Sequence, residues 1–444
     1  MNIILLSGGS GKRLWPLSNN VRSKQFIKIF QNPDGTQESM VQRIYRQIKA
    51  VDPNAVITIA TSKSQVASIH NQIGNDIGVS VEPCRRDTFP AMALATAYLH
   101  DMMGVPDDEV VIVCPVDPYV EEDFFETMQV VEKETAKGEA RLVLMGMEPT
   151  YPSDRYGYII PQDKERVSWV ETFREKPDVE TAKSYISRGA LWNGGVFAYK
   201  IGYLRDKSNE ILGYSDYSDL FANYDSLNKI SFDYAVGEKE DRIKTVRFSG
   251  EWKDVGTWNA LTDVMERSKV GNVLLDEKCE NVHVVNELNV PILAVGLKNV
   301  VVSASPEGIL VSDKEQSDSI KPYVDSIDQQ IMFSEKSWGS FRVLDVGAHS
   351  LIIKIELLPG HRLHYHSHMH RRETWTVVSG SGLAVVDEKE IPLESGSVVE
   401  LPIGSKHTLI AKTSMTVIEV QVGESINVED KEKYSLKERY GEHM

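Results

Sequence analysis

A chain of 444 residues exceeds what one ordinary hydrophobic core organises and predicts two or three domains. Its content of 41% hydrophobic and 26% charged residues is that of a soluble globular protein. A net charge of -16 argues against nucleic acid as a partner and makes any positive potential local. Cys84, Cys114 and Cys279 lack the spacing of a disulfide framework or a zinc site. No apolar run approaches a membrane span, and the first residues carry neither a basic leader nor a small-residue cleavage site. No membrane partner and no signal peptide are therefore expected, and the expected compartment is the cytoplasm.

Residues 2–6 form a short, β-branched apolar run that reads as a buried strand cut off by glycines. The stretch after it, residues 8–26, reads GGSGKRLWPLSNNVRSKQF. A glycine loop leaving a parallel strand points backbone N–H groups at an anion, and Lys12, Arg13, Arg22 and Lys24 add positive charge to the same place. A Walker loop is excluded, because Leu6 and Arg13 stand where it needs a glycine and a hydroxyl residue. A dinucleotide fingerprint is excluded by Leu14 at its third glycine.

Further strands are predicted over 56–61, 78–82, 109–115 and 141–146, and helices over 39–51, 64–74, 90–103 and 122–137. That alternation predicts an α/β domain with a mostly parallel sheet and ligands beyond the carboxyl ends of its strands. Glu82 ends the third strand. One carboxylate accepts from the ring N–H and exocyclic amine of guanine together, so Glu82 favours a guanine nucleotide. Asp117 follows the fourth strand, either as a metal-binding carboxylate or as a cap for the next helix. Residues 150–265 keep αβ character with more turns and aromatics. Within them, 173–178 reads as a charged turn, and 252–258 as a tight turn carrying Asp254 beside a ligand. From about 280 short β-branched runs predict stacked strands, and 341–423 predict a β-sandwich or barrel. The tail from 429 reads as helical or frayed. On a strand His366 and His368 share a face, and Glu373 and His407 on neighbouring strands complete a mixed nitrogen and oxygen metal site. The alternative is a scaffold that binds no catalytic metal.

The 8–26 stretch resembles the signature of nucleotide-sugar pyrophosphorylases, and its Leu-Trp-Pro-Leu-Ser and Lys-Gln-Phe elements narrow the resemblance to mannose-1-phosphate guanylyltransferases. The spacing of Gly360, His366, His368, Glu373 and Gly380, then Gly396, Pro402, Gly404 and His407, resembles the two cupin motifs, with Ala411 at the final Asn. Together these resemble the bifunctional phosphomannose isomerase and guanylyltransferase family over nearly the whole chain. The resemblance implies a Rossmann-like nucleotidyltransferase domain (1–270), a short left-handed β-helix segment (271–335) and a C-terminal cupin β-barrel (336–444). It implies transfer of GMP from GTP to mannose 1-phosphate, giving GDP-mannose, with a homodimer as the expected assembly. The cupin's activity stays open between isomerising mannose 6-phosphate and fructose 6-phosphate and only binding.

Residue by residue, the resemblance implies nucleotide contacts from Leu6, Gly8, Gly9, Gly11, Arg13, Glu82, Arg86 and Thr88. Sugar contacts fall to Gly157, Glu175, Lys176 and Asn193, and catalysis to Arg13, Lys24 and Lys176. Mg²⁺ falls to Asp117 and Asp254, and a divalent metal such as Zn²⁺ to His366, His368, Glu373 and His407. The chain departs from the family pattern at Lys12, Ser23, Arg85, Asp87, Pro118, Asp154, Arg155, His366 and Thr374.

Overall fold

A computed structural model describes residues 1–9, 11–19, 21–327, 331–424, 426 and 430–436. The chain divides into two compact units. The first comprises Met1–Gly11, Ser23–Val66 and Gln72–Glu266; the second comprises Lys12–Arg22, Ala67–Asn71 and Arg267–Met444.

The first unit is built on a nine-stranded sheet. Its strands are β1 (Asn2–Ser7), β2 (Val56–Ser62), β3 (Gly78–Glu82) and β4 (Val110–Pro115), with β5 (Pro118–Val120) outside the sheet. There follow β6 (Leu142–Met147), β7 (Gly157–Pro161), β8 (Val167–Arg174), β9 (Leu191–Lys200) and β10 (Ile243–Phe248). A further short strand, β11 (Trp252–Asp254), pairs antiparallel with β5. The sheet order is β3-β2-β1-β4-β9-β6-β10-β8-β7. Strands β3, β2, β1 and β4 run parallel, and the near-continuous apolar runs of β1 and β4 at the centre fit strands covered on both faces. Helix α1 (Met40–Val51) starts at a capping box in which Ser39 and Gln42 satisfy each other's backbone N–H groups. Helix α3 (Thr88–Ala97), after α2 (Val66–Ile73), is apolar all round and correspondingly buried, with Phe89, Met92 and Ala95 in the central core.

The sheet is mixed rather than mostly parallel. Strand β9 lies antiparallel between β4 and β6, and β8 lies antiparallel to both β10 and β7. The reason lies in the connections. The short link from β7 to β8 leaves no room for a crossover helix, so the chain must fold back as a hairpin. The stretch 252–258 is a strand followed by the helix Trp258–Thr262, not one tight turn.

In the second unit, strands Lys269–Val270, His283–Asn286 and Val300–Ser305 pair in parallel, as do Val273–Leu275 and Ile292–Ala294. Val273, Val282, Val284, Ala294 and Val302 form their core. The C-terminal part is an antiparallel β domain, cupin-like, of a six-stranded and a five-stranded sheet closed around Trp375, Leu401, Leu409 and Val417. Of the tail expected to be helical or frayed from 429, Glu432–Lys433 instead pairs as a short strand with His366–Ser367; 429 and 437–444 lie outside the described residues. Two of the four cations expected at the phosphate loop are engaged in this unit. Arg22 forks onto Glu287 at 2.7 and 2.9 Å and lies over the Phe333 ring, while Lys12 meets Asp325 at 2.8 Å. No helix among the described residues is long and apolar enough to cross a membrane.

Candidate active site and metal centre

The carboxyl ends of β1, β2, β3 and β4 meet at one edge of the parallel half-sheet, where a cavity of about 280 Å³ opens. Leu6, Gly8, Gly9, Glu82, Thr88 and Asp117 are among its lining residues. Glu82 takes a hydrogen bond from the Tyr224 hydroxyl at 2.7 Å. Burial raises its carboxyl pKa, and Tyr224 only partly offsets that. A larger open groove of about 850 Å³ lies by Arg43, Arg46 and Glu121, where Arg43 pairs with Glu121 at 2.8 Å and Arg46 with Glu38 at 2.7 Å.

Asp117 lies two residues past the end of β4, and the pairing of β11 with β5 sets Asp254 opposite Pro118. The two half-exposed carboxylates share one ammonium. Lys24 Nζ lies 2.9 Å from Asp117 and 3.8 Å from Asp254. Gly11, at φ +61°, lies so close to Lys24 that an added Cβ would sit 3.0 Å from its Cβ and 3.1 Å from its backbone nitrogen. Two hard oxygen donors of this kind are the set Mg²⁺ takes from protein when phosphates supply the rest.

A second cluster lies at the ends of β8 and β9. Lys176 Nζ donates to Glu175 at 2.6 Å, and Asn193 Nδ2 donates to Asp233 at 2.7 Å while its Oδ1 accepts from the Gly195 N–H at 3.0 Å. Gly157 leaves the space that Glu175 and Asn193 fill, since a Cβ there would collide with the Glu175 carboxylate. Burial presses on Lys176, but Glu175 holds its pKa above the ordinary value. Asp233 is pushed up to about 6, first by burial and then by Glu175. Trp192 and Trp252, with ring centroids 6.3 Å apart, and Tyr156, 5.4 Å from Trp252, join this cluster to the strand that carries Asp254.

In the C-terminal domain, His366, His368, Glu373 and His407 are all buried, and one ligand atom from each lies within 4.8 Å of the others. His366 Nδ1 faces the His364 carbonyl at 2.6 Å, His407 Nδ1 faces that of Ser405 at 3.0 Å, and His368 Nδ1 faces that of Asp430. A carbonyl only accepts, so each Nδ1 carries the proton; the Nε2 atoms of His366 and His407 offer lone pairs inward, while that of His368 accepts from Arg371 Nη2 at 3.1 Å. Burial drops the His366 pKa to about 2, keeping the imidazole neutral. Glu373 Oε2 and His407 Nε2 are buried without a hydrogen-bond partner. Three imidazoles and one carboxylate converging in this way fit a divalent transition metal. Arg371 Nε donates to Glu373 Oε1 at 3.1 Å. Glu419 accepts from Trp375 at 3.0 Å, and burial together with Glu373 brings its pKa to about 7.

Residues 2–269 match the family model described as nucleotidyl transferase. The chain belongs to that family. Residues 326–435 match the model described as mannose-6-phosphate isomerase C-terminal. The mannose-1-phosphate guanylyltransferase of Salmonella montevideo is 29% identical over 481 aligned positions, covering 99% of each chain. The alginate biosynthesis protein AlgA of Pseudomonas aeruginosa is 29% identical, covering 99% of this chain and 96% of its own. Among solved structures, the mannose-1-phosphate geranyltransferase from Thermus thermophilus is similar, with 27% identity and a TM-score of 0.60 over 73% of this chain and 98% of that one.

For this nucleotidyl transferase the structure brings Leu6, Gly8, Gly9, Glu82, Thr88 and Asp117 to one cavity, Asp254 to Asp117 and Lys24, and Gly157, Glu175, Lys176 and Asn193 to one cluster. It does not bring Arg86 to the cavity lining. Arg86 donates instead to the backbone carbonyls of Tyr224 and Asp225. Arg13 sits on the helical turn Lys12–Leu14, which folds with the second unit. Sequence reasoning missed Asp233 and Tyr224. The available signal was a lone carboxylate inside the otherwise uncharged stretch 230–237.

Proposed function

We propose that the chain is a Mg²⁺-dependent mannose-1-phosphate guanylyltransferase, transferring GMP from GTP to mannose 1-phosphate and releasing pyrophosphate. The observation that carries this reading is the Lys24 ammonium shared by Asp117 and Asp254 beside a cavity lined by Gly8, Gly9 and Glu82. Glu82 accepts from the guanine ring N–H and amine, and the glycine backbone with Lys24 takes the triphosphate. Glu175, Asn193 and Gly157 hold the sugar, and Lys176 neutralises its phosphate. An oxygen of that phosphate attacks the α-phosphorus as the bond to the bridging oxygen of pyrophosphate breaks, so no side-chain nucleophile is needed. Mg²⁺ would be held by Asp117 and Asp254 and would supply neutralisation of phosphate charge.

Pyrophosphate release measured for four nucleoside triphosphates against several hexose 1-phosphates tests the reading. GTP with mannose 1-phosphate should be the preferred pair, and Asp254→Asn should slow it roughly a hundredfold or more. Preference for another pair would overturn the assignment, and unaltered Asp254→Asn turnover at limiting Mg²⁺ would remove the metal role.

The buried His366, His368, Glu373 and His407 set supports a second activity, interconversion of mannose 6-phosphate and fructose 6-phosphate, with a divalent metal that would polarise a carbonyl. Conversion by the full chain, abolished by chelation, tests it. The parallel pairing of the short strands supports reading 271–335 as an abbreviated left-handed β-helix between a 1–270 transferase domain and a 336–444 cupin. A homodimer in the cytoplasm completes the proposal.

A further inference from the structure

Arg85 is the sole basic side chain among the described residues lining the strand-end cavity. Its guanidinium is exposed, and no hydrogen bond or ion pair to a described residue engages it. Its neighbours are fixed. Glu82 is held by the Tyr224 hydroxyl, and Arg86 is held on two backbone carbonyls. Asp87 stands at φ +71°, a backbone conformation that non-glycine residues rarely adopt, and caps α3 through the Thr88 N–H at 2.8 Å. A cation with five donors, whose charge favours the ionised Glu82 carboxylate but whose N–H groups meet no described acceptor, set on a fixed loop, is built for a ligand with acceptors.

Position in the sheet decides which part of a nucleotide that is. Gly8 and Gly9 follow β1, whereas Glu82 ends β3 and Arg85 follows it, two strand spacings away, or about 10 Å. Phosphates at the glycines leave the base beside Glu82. Guanine presents donors on one edge, N1–H and the 2-amine, and acceptors on the next, O6 and N7. A carboxylate satisfies the first edge only. Resting on the reading that the cavity takes a guanine nucleotide, we propose that Arg85 reads O6 and N7 of the base whose N1–H and amine Glu82 accepts. The fork of a guanidinium matches those two acceptors in one plane. Adenine sets an amine where O6 would be and has no N1–H, so it fails against both residues.

The test compares kcat/KM for GTP, 7-deaza-GTP and ITP in the full-length protein, its Arg85→Ala variant and its Arg85→Lys variant. 7-deaza-GTP lacks only the N7 acceptor, and ITP lacks only the amine. The unsubstituted protein should prefer GTP over 7-deaza-GTP by roughly tenfold or more. In Arg85→Ala that preference should fall to about one while preference for GTP over ITP persists. Arg85→Lys should not restore it, because a point charge cannot fork. Equal use of GTP and 7-deaza-GTP by the unsubstituted protein, or a uniform loss for all three nucleotides in Arg85→Ala that Arg85→Lys rescues, would overturn the inference and leave the transferase reading standing. Absence of pyrophosphate release from GTP with every sugar phosphate would remove both.

Discussion

Asp233→Asn should stabilise the protein at neutral pH and do progressively less as the pH falls. Burial and the facing Glu175 raise the Asp233 carboxyl from 3.8 to about 6, while its oxygen still accepts from Asn193 Nδ2 at 2.7 Å. The native state therefore binds this proton more tightly than the unfolded chain. Stability from the group is fully present below the unfolded value and is lost as pH rises through about 6. A shift of about two units corresponds to about 3 kcal/mol at pH 7.5, of which about 2 kcal/mol develops between pH 4.5 and 7.5. Asparagine cannot ionise and keeps an acceptor for the Asn193 amide, so the variant escapes that loss. Urea unfolding followed by tryptophan fluorescence at pH 4.5, 6 and 7.5 reads the difference, provided the m-values of the two proteins agree. A gap between variant and wild type that is flat across this range would refute the reasoning, because it would mean that Asp233 is ionised throughout.

Gly11→Ala places a methyl group 3.0 Å from Lys24 Cβ in a left-handed backbone and should cost about 1–2 kcal/mol of stability. It should also lower kcat by moving Lys24 from the two carboxylates; unchanged kcat would show that Gly11 does not set the position of Lys24. His407→Ala removes one of the four converging ligand atoms and should lower the metal content of the dialysed protein, read by elemental analysis. Metal content equal to that of the wild type would take His407 out of the centre.

The α/β alternation was legible because parallel strands covered on both faces must be apolar at every position, as in Val110–Pro115 and Leu142–Met147. The capping box at Ser39 and Gln42 marked a helix start in the same local way. Strand order is not written locally. Nothing in the sequence of Leu191–Lys200 distinguishes an antiparallel strand inserted between β4 and β6 from one added at the sheet edge. The three-residue strands β5 and β11 are shorter than the roughly four residues over which alternation can be read, so their pattern could not separate a strand from a turn.

The site divides along the same line. Glu82, Asp117 and the histidines stand where the chain leaves a strand or repeats along one, and local spacing therefore exposes them. Asp233 gains its character only from burial beside Glu175, and Tyr224 only from reaching Glu82 across the fold, so both depend on contacts that composition does not carry. Asp254 is the sharpest case. Its place beside Asp117 depends on a pairing of Trp252 with Val120, Lys253 with Tyr119 and Asp254 with Pro118. A slip of one residue in so short a ladder would turn Asp254 to the opposite face, and hydrogen bonds alone tolerate such slips. Trp252 supplies the missing constraint. Its ring packs against Tyr156 and Trp192, and its indole meets the space kept open at Gly194, so the aromatic cluster fixes the register that aims the second carboxylate. The aromatics beside Glu175 and Asn193 thus act on the Asp117 and Asp254 pair as well, through the strand they lock.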